Sequence, residues 1–144
     1  MPKKTVKVDA KLQDNFRVEA HMGNHTVIID QPKAGGGEDQ GPNPLQVQLL
    51  ALAGCLGAIG RIVANQEKLD LRGLDISVQG DLDTDFLLGQ TEDGRAGFSS
   101  ISATVGVDAD MTGEEKREFL EKVDSRCPIS DVMANGTDVS IELA

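Results

Sequence analysis

The run Leu49-Leu50-Ala51-Leu52-Ala53-Gly54-Cys55-Leu56-Gly57-Ala58-Ile59-Gly60 decides most of what this chain can fold into. Between Leu49 and Val63 it is apolar nearly all round, and a helix of that kind belongs inside a protein. Pro44 suits the first turn of such a helix, which is predicted to run to about Gln66. Gly54, Gly57 and Gly60 each cost about 1 kcal/mol relative to alanine in a helix interior. Close approach of another backbone, most simply the same helix of a second copy, would offset that cost. Strands of the same chain crossing the helix are the alternative. The run is too short to span a bilayer and is bracketed by Gln48 and Arg61, so no membrane partner is expected.

The segments around this helix alternate. Thr5 to Leu12, Phe16 to Met22 and His25 to Asp30 read as a meander of strands, with Asp14-Asn15 and Gly23-Asn24 as turns. Phe16, Val18 and Ala20 alternate with Arg17, Glu19 and His21, which predicts one buried face. Lys33 to Pro42 reads as a flexible connector. Past the helix, Leu74, Ile76 and Val78 mark one strand, and Phe98, Ile101, Ala103, Val105 and Val107 another. Thr112-Gly113-Glu114-Glu115 is a capping box that opens a helix with Phe119, Leu120 and Val123 on its inner stripe. Pro128 to Ala134 predicts a short helix, Asn135-Gly136 its stop, and Val139, Ile141 and Leu143 a final strand.

The chain has 144 residues and no shift of composition along it, which predicts a single domain over 1–144. With no Trp or Tyr and only four Phe, its core must be aliphatic. The net charge of −10 opposes the phosphates of nucleic acid and an anionic membrane surface, so neither is expected as a partner. Lys3 and Lys4 have no apolar run behind them, so the N-terminus does not read as a secretory signal and a cytoplasmic location is expected.

In that compartment the two cysteines, Cys55 and Cys127, are expected to be reduced or redox-active rather than a permanent bridge. Cys55 lies within the apolar helix. Cys127 stands before Pro128, near the cap of a new helix, where the helix N-terminus and Arg126 favour thiolate over thiol. Two such thiols point to peroxide or disulfide chemistry; the plainer alternative for each is a small buried hydrophobe. Other chemistry finds little support. Gly35-Gly36-Gly37 is followed by Glu38 and Asp39, not by the Gly-Lys-Ser/Thr of a phosphate loop. His21 and His25 have no second pair of ligands to complete a zinc site. Asp108, Asp110, Glu114 and Glu115 form a solvated helix entrance. No cofactor and no metal are expected.

The segment Asn43-Pro44-Leu45-Gln46-Val47-Gln48-Leu49-Leu50-Ala51-Leu52-Ala53-Gly54-Cys55, with Arg126-Cys127-Pro128-Ile129-Ser130 far downstream, resembles the OsmC-like family of osmotically induced and organic-hydroperoxide-resistance proteins. That resemblance implies an α+β fold of antiparallel sheets around a buried central helix, in an intertwined homodimer with active sites at the interface. It also implies that Cys55 is the peroxidatic cysteine and Cys127 the resolving one, in a peroxidase that reduces organic hydroperoxides and is reset by an external dithiol. Leu45 stands where characterised peroxidases of the family carry a glutamate, which is closer to the less characterised OsmC-like branch. The arginine nearest the first hairpin is Arg17. The alternative is a non-catalytic dimeric module that binds a small apolar ligand or senses redox state.

Overall fold

Alternation at the N-terminus produces a three-stranded antiparallel sheet in the order β1 (Asp9–Leu12), β2 (Val18–Met22), β3 (His25–Ile29). The computed structural model describes residues 1–144 as two units, 1–48 and 49–144. In the first unit Met22 pairs with His25, so Gly23 and Asn24 make a two-residue turn, and Gly23 takes the φ of 60° that such a turn favours. Ala20, opposite Ala10 and Val27, is the buried point of the sheet. Phe16 does not join this buried face. It lies in the turn before β2 and is 47 % exposed, with its ring beside Gly36.

The connector after β3 is tied down rather than loose. Buried Asp30 accepts hydrogen bonds from the main-chain N–H groups of Gln31 (2.8 Å) and Gln40 (3.1 Å), while its own N–H donates to the Pro42 carbonyl. These bonds hold its carboxyl below the usual carboxylate range, with Gln31 the main cause. A Cβ on Gly37 would come within 2.1 Å of the Gln31 carbonyl oxygen, and one on Gly41 within 2.1 Å of that of Ile28. These glycines permit close backbone approach, a use that composition alone does not distinguish from mobility.

Helix α1 (Pro44–Glu67) begins at Asn43, which exchanges hydrogen bonds with Gln46 in a capping box. Most of it belongs to the second unit, followed by β4 (Gly73–Asp81), α2 (Thr84–Leu87), β5 (Ser100–Asp108), α3 (Gly113–Arg126) and α4 (Pro128–Asn135). Strands β4 and β5 form an antiparallel ribbon in which Leu74 faces Val107 and Ile76 faces Val105. These four side chains pack on a core built from Leu52, Leu56, Val63 and Ala64 of α1 with Phe119 and Val123 of α3. The buried core is aliphatic but for Phe119 and Cys127. At 24 residues, α1 is longer than the apolar run read from sequence, and by length and composition alone it matches a membrane span. Its buried residues are nevertheless spent on this core.

Only one of the three glycines in α1 is explained by packing within the chain. A Cβ on Gly60 would stand 2.8 Å from Leu74 Cδ1 and 3.8 Å from Phe119 Cζ, whereas one on Gly57 would make an ordinary contact and one on Gly54 would meet nothing. The capping box of α3 forms as expected, with Thr112 and Glu115 exchanging two bonds of 3.1 Å. The final strand does not form. Beyond Gly136 the chain is irregular and Val139, Ile141 and Leu143 are exposed, because a strand is held by pairing with a neighbour and neither sheet pairs with this segment.

Candidate redox site

Cys55 lies on α1 and Cys127 in the elbow between α3 and α4, and the fold brings their sulfurs together. Cys127 Sγ–H donates to Cys55 Sγ at 2.8 Å. Both are free thiols. Cys55, expected inside with its helix, is only half-buried, whereas Cys127, at the helix start, is 1 % exposed. Phe119 and Val123 bring α3 onto α1, and the elbow that follows carries Cys127 into the core beside Cys55.

The first turn of α4 is organised around Cys127, its N-cap. Pro128, at the first helical position, has no N–H to satisfy. The Ser130 N–H donates to Cys127 Sγ at 3.4 Å, and the Asp131 N–H closes the first helical bond on the Cys127 carbonyl at 3.0 Å. Ser130 Oγ in turn donates to Asp124 Oδ1 at 2.5 Å, and the Cys127 N–H to the Asp124 carbonyl at 3.1 Å, so α3 and α4 are pinned across the cysteine. Ser130 and Asp124 escaped the sequence reading; Ser130 at the third position after a capping cysteine is the signal that marks it. Arg126 does not serve Cys127 as expected, since its guanidinium donates to Gln66 Oε1 at 2.8 Å.

Burial pushes the Cys55 thiol above its ordinary pKa, and the hydrogen-bonded Cys127 thiol adds to the rise. A main-chain hydrogen bond from Ile129 opposes both. A groove of about 330 Å³ is lined by Leu52, Leu56, Ile101, Ala103, Val105 and Leu120, with Asp124 and Ser130 as its polar margin. Leu52 and Leu56 flank Cys55 on the same helix.

The first unit holds a separate polar cleft of about 810 Å³. Arg17 lines it, its Nε donating to Gln13 Oε1 at 2.8 Å and its Nη1 hydrogen-bonded to Gln40 Oε1. Leu45, in the first turn of α1, offers no carboxylate to the cap, whose bonds Asn43 and Gln46 make instead. His21 is hydrogen-bonded to Thr26 across the β2–β3 ladder.

Comparison with known proteins gives one consistent result. Residues 36–142 match the family model described as OsmC-like protein. The chain is 25 % identical over 138 residues to a hydroperoxide reductase of Mycoplasma genitalium, covering 95 % of this chain and 92 % of the relative. An OsmC-like protein from Mycoplasma pneumoniae superimposes with a TM-score of 0.81 at 23 % identity, over 93 % of this chain and 90 % of that one. The organic hydroperoxide resistance protein OhrB of Bacillus subtilis does so with a TM-score of 0.61 at 26 % identity, over 98 % of each chain. The α+β architecture with small antiparallel sheets is therefore the fold of these proteins.

Proposed function

The chain belongs to the OsmC-like family, and on that premise we propose that it is a thiol-dependent peroxidase that reduces organic hydroperoxides through Cys55 and Cys127. The observation that carries this reading is the 2.8 Å separation of two free sulfurs, within easy reach of the bond of about 2.05 Å that a disulfide requires. Names borne by relatives support a peroxidase-like role at the level of the family.

Unequal exposure supports the division of roles. Half-buried Cys55 is the sulfur a peroxide can reach, and its thiolate attacks the peroxide oxygen; the O–O bond breaks and the alkoxide leaves as an alcohol after taking a proton. Buried Cys127 then attacks the sulfenic acid, water departs, and the disulfide forms without large movement because its sulfur already lies alongside. The groove of Leu52, Leu56, Ile101 and Val105 suits an alkyl tail, which favours organic hydroperoxides over hydrogen peroxide. An external dithiol resets the pair, and the reaction takes place in the cytoplasm. The working form is an intertwined homodimer, a reading supported by the exposure of Leu50 and Ile62 on the apolar helix and by the unpaired alternation of Val139, Ile141 and Leu143.

One observation favours the non-catalytic alternative. Burial holds the Cys55 thiol protonated, and no carboxylate occupies position 45 to orient a cation toward it. Reduced protein separates the two readings. The peroxidase consumes tert-butyl hydroperoxide faster than hydrogen peroxide, Cys55→Ser abolishes turnover, and Cys127→Ser yields a Cys55 sulfenic acid trapped by dimedone. A wild-type protein that consumes neither peroxide, with no trapped sulfenic acid in Cys127→Ser, would leave the binding or sensing module as the function.

A further inference from the structure

Arg95 is the one arginine of the chain whose side chain makes no hydrogen bond and no ion pair. The other five are committed: Arg17 to Gln13, Arg61 to the Leu71 carbonyl, Arg72 to Asp108 and Asp110, Arg117 to Glu114 and Arg126 to Gln66. Glu92 and Asp93 stand within three residues of Arg95, in a chain with 24 acidic and 14 basic residues, and it pairs with neither. It lines a cleft of about 300 Å³ together with Leu52, Phe98, Ile101 and Met133. The irregular segment that carries it is anchored. Phe98 lies over Gly80 of β4, where an added Cβ would stand 2.7 Å from its ring, and the Ser99 N–H donates to the Asp81 carbonyl at 2.7 Å.

This cleft adjoins the groove described above, since Leu52, Ile101 and Ser130 line both. Together they offer an apolar wall with a cation at one end, the complement of an alkyl chain that ends in a negative group. The donors set the charge of that group. Ser99, Ser100 and Ser130 also line the cleft, but each hydroxyl already donates, to the Asp81 carbonyl, to Asp81 Oδ2 and to Asp124 Oδ1 respectively. The Arg95 guanidinium is therefore the only uncommitted side-chain donor in the cleft. One guanidinium meets the two oxygens of a carboxylate in parallel bonds. A phosphate dianion would bring a second charge and a third oxygen with no donor left for them, and Asp124 on the groove would repel it.

We propose that the cleft and groove bind an alkyl carboxylate, with Arg95 as the residue that holds its carboxyl end. Binding requires no redox step. What the ligand does there rests on the peroxidase reading: an acid lying in the groove given to the alkyl tail competes with a neutral hydroperoxide.

Calorimetric titration of the reduced protein with decanoate, 1-decanol and decyl phosphate at neutral pH tests the site. Decanoate should bind about tenfold tighter than 1-decanol, because hydrogen bonds to a charged group add to the chain burial that both share. Arg95→Gln should bring decanoate to the level of the alcohol, and Arg95→Lys should recover part of the loss. Arg117→Gln, at an exposed position on α3, should change nothing. Equal affinity for acid and alcohol, tighter binding of decyl phosphate, an Arg95→Gln protein that keeps its affinity, or no binding of decanoate would each overturn the proposal. In the wild-type protein decanoate should also raise the KM for cumene hydroperoxide and leave kcat unchanged. Decanoate bound through Arg95 without that rise would uphold the site and count against the groove's part in the peroxidase reading.

Discussion

At the scale of single residues, the controlling quantity is how much of Cys55 is thiolate. Burial and the neighbouring Cys127 thiol both raise its pKa, so the reactive fraction is small at neutral pH and grows as pH rises. The rate of the first oxidation should therefore climb about tenfold per pH unit through neutrality and still be rising above about pH 8.5, the ordinary thiol value. Stopped-flow oxidation of Cys127→Ser under excess tert-butyl hydroperoxide, which isolates Cys55 and relieves it of the Cys127 contribution, should retain the rise because burial is the larger cause. A rate already level at pH 7 would contradict this. Residue identity made the helix-start position of Cys127 legible, since Pro128 adjoins it. Its partnership with Cys55 was not legible from local pattern, because 72 residues separate the two and only tertiary packing joins them. Cys55 is only half-buried for a related reason: neighbours in sequence describe a helix, not what covers it.

At the scale of elements, α1 is held by shape as well as by its apolar character. Replacing Gly60 with alanine adds helix propensity worth about 1 kcal/mol but drives a methyl group into Leu74 of β4 beside Phe119 of α3. Overpacking of this kind costs about 1–3 kcal/mol, so Gly60→Ala should lower stability by about 1 kcal/mol in urea denaturation. A clear gain would mean that β4 yields without cost. Elements whose signals are local were readable: the Thr112–Glu115 capping box, the Gly23-Asn24 turn and the start of α4 all form where their residues place them. Elements that depend on a distant partner were not. Val139, Ile141 and Leu143 carry a strand pattern and pair with neither sheet, and the glycines after Pro32 serve the Asp30 loop rather than flexibility.

At the scale of the whole molecule, exposed apolar positions call for cover. Leu50, Ile62, Val139, Ile141 and Leu143 all face solvent in the single chain, and the intertwined homodimer proposed above would bury such surface. Sedimentation at micromolar concentration should therefore give twice the chain mass of 15.3 kDa, and removal of residues 137–144 should weaken the association. A stable monomer would contradict the dimer and leave Gly54 without a packing reason. The central claim is that Cys55 and Cys127 are one redox couple driven by hydroperoxide. Its most direct measurement is intact-mass and peptide mass spectrometry of reduced protein after one equivalent of tert-butyl hydroperoxide. The account predicts loss of both thiol hydrogens and a single peptide pair joined through Cys55 and Cys127 within one chain; two unmodified thiols, or oxidation at Cys55 that never proceeds to that link, would contradict it.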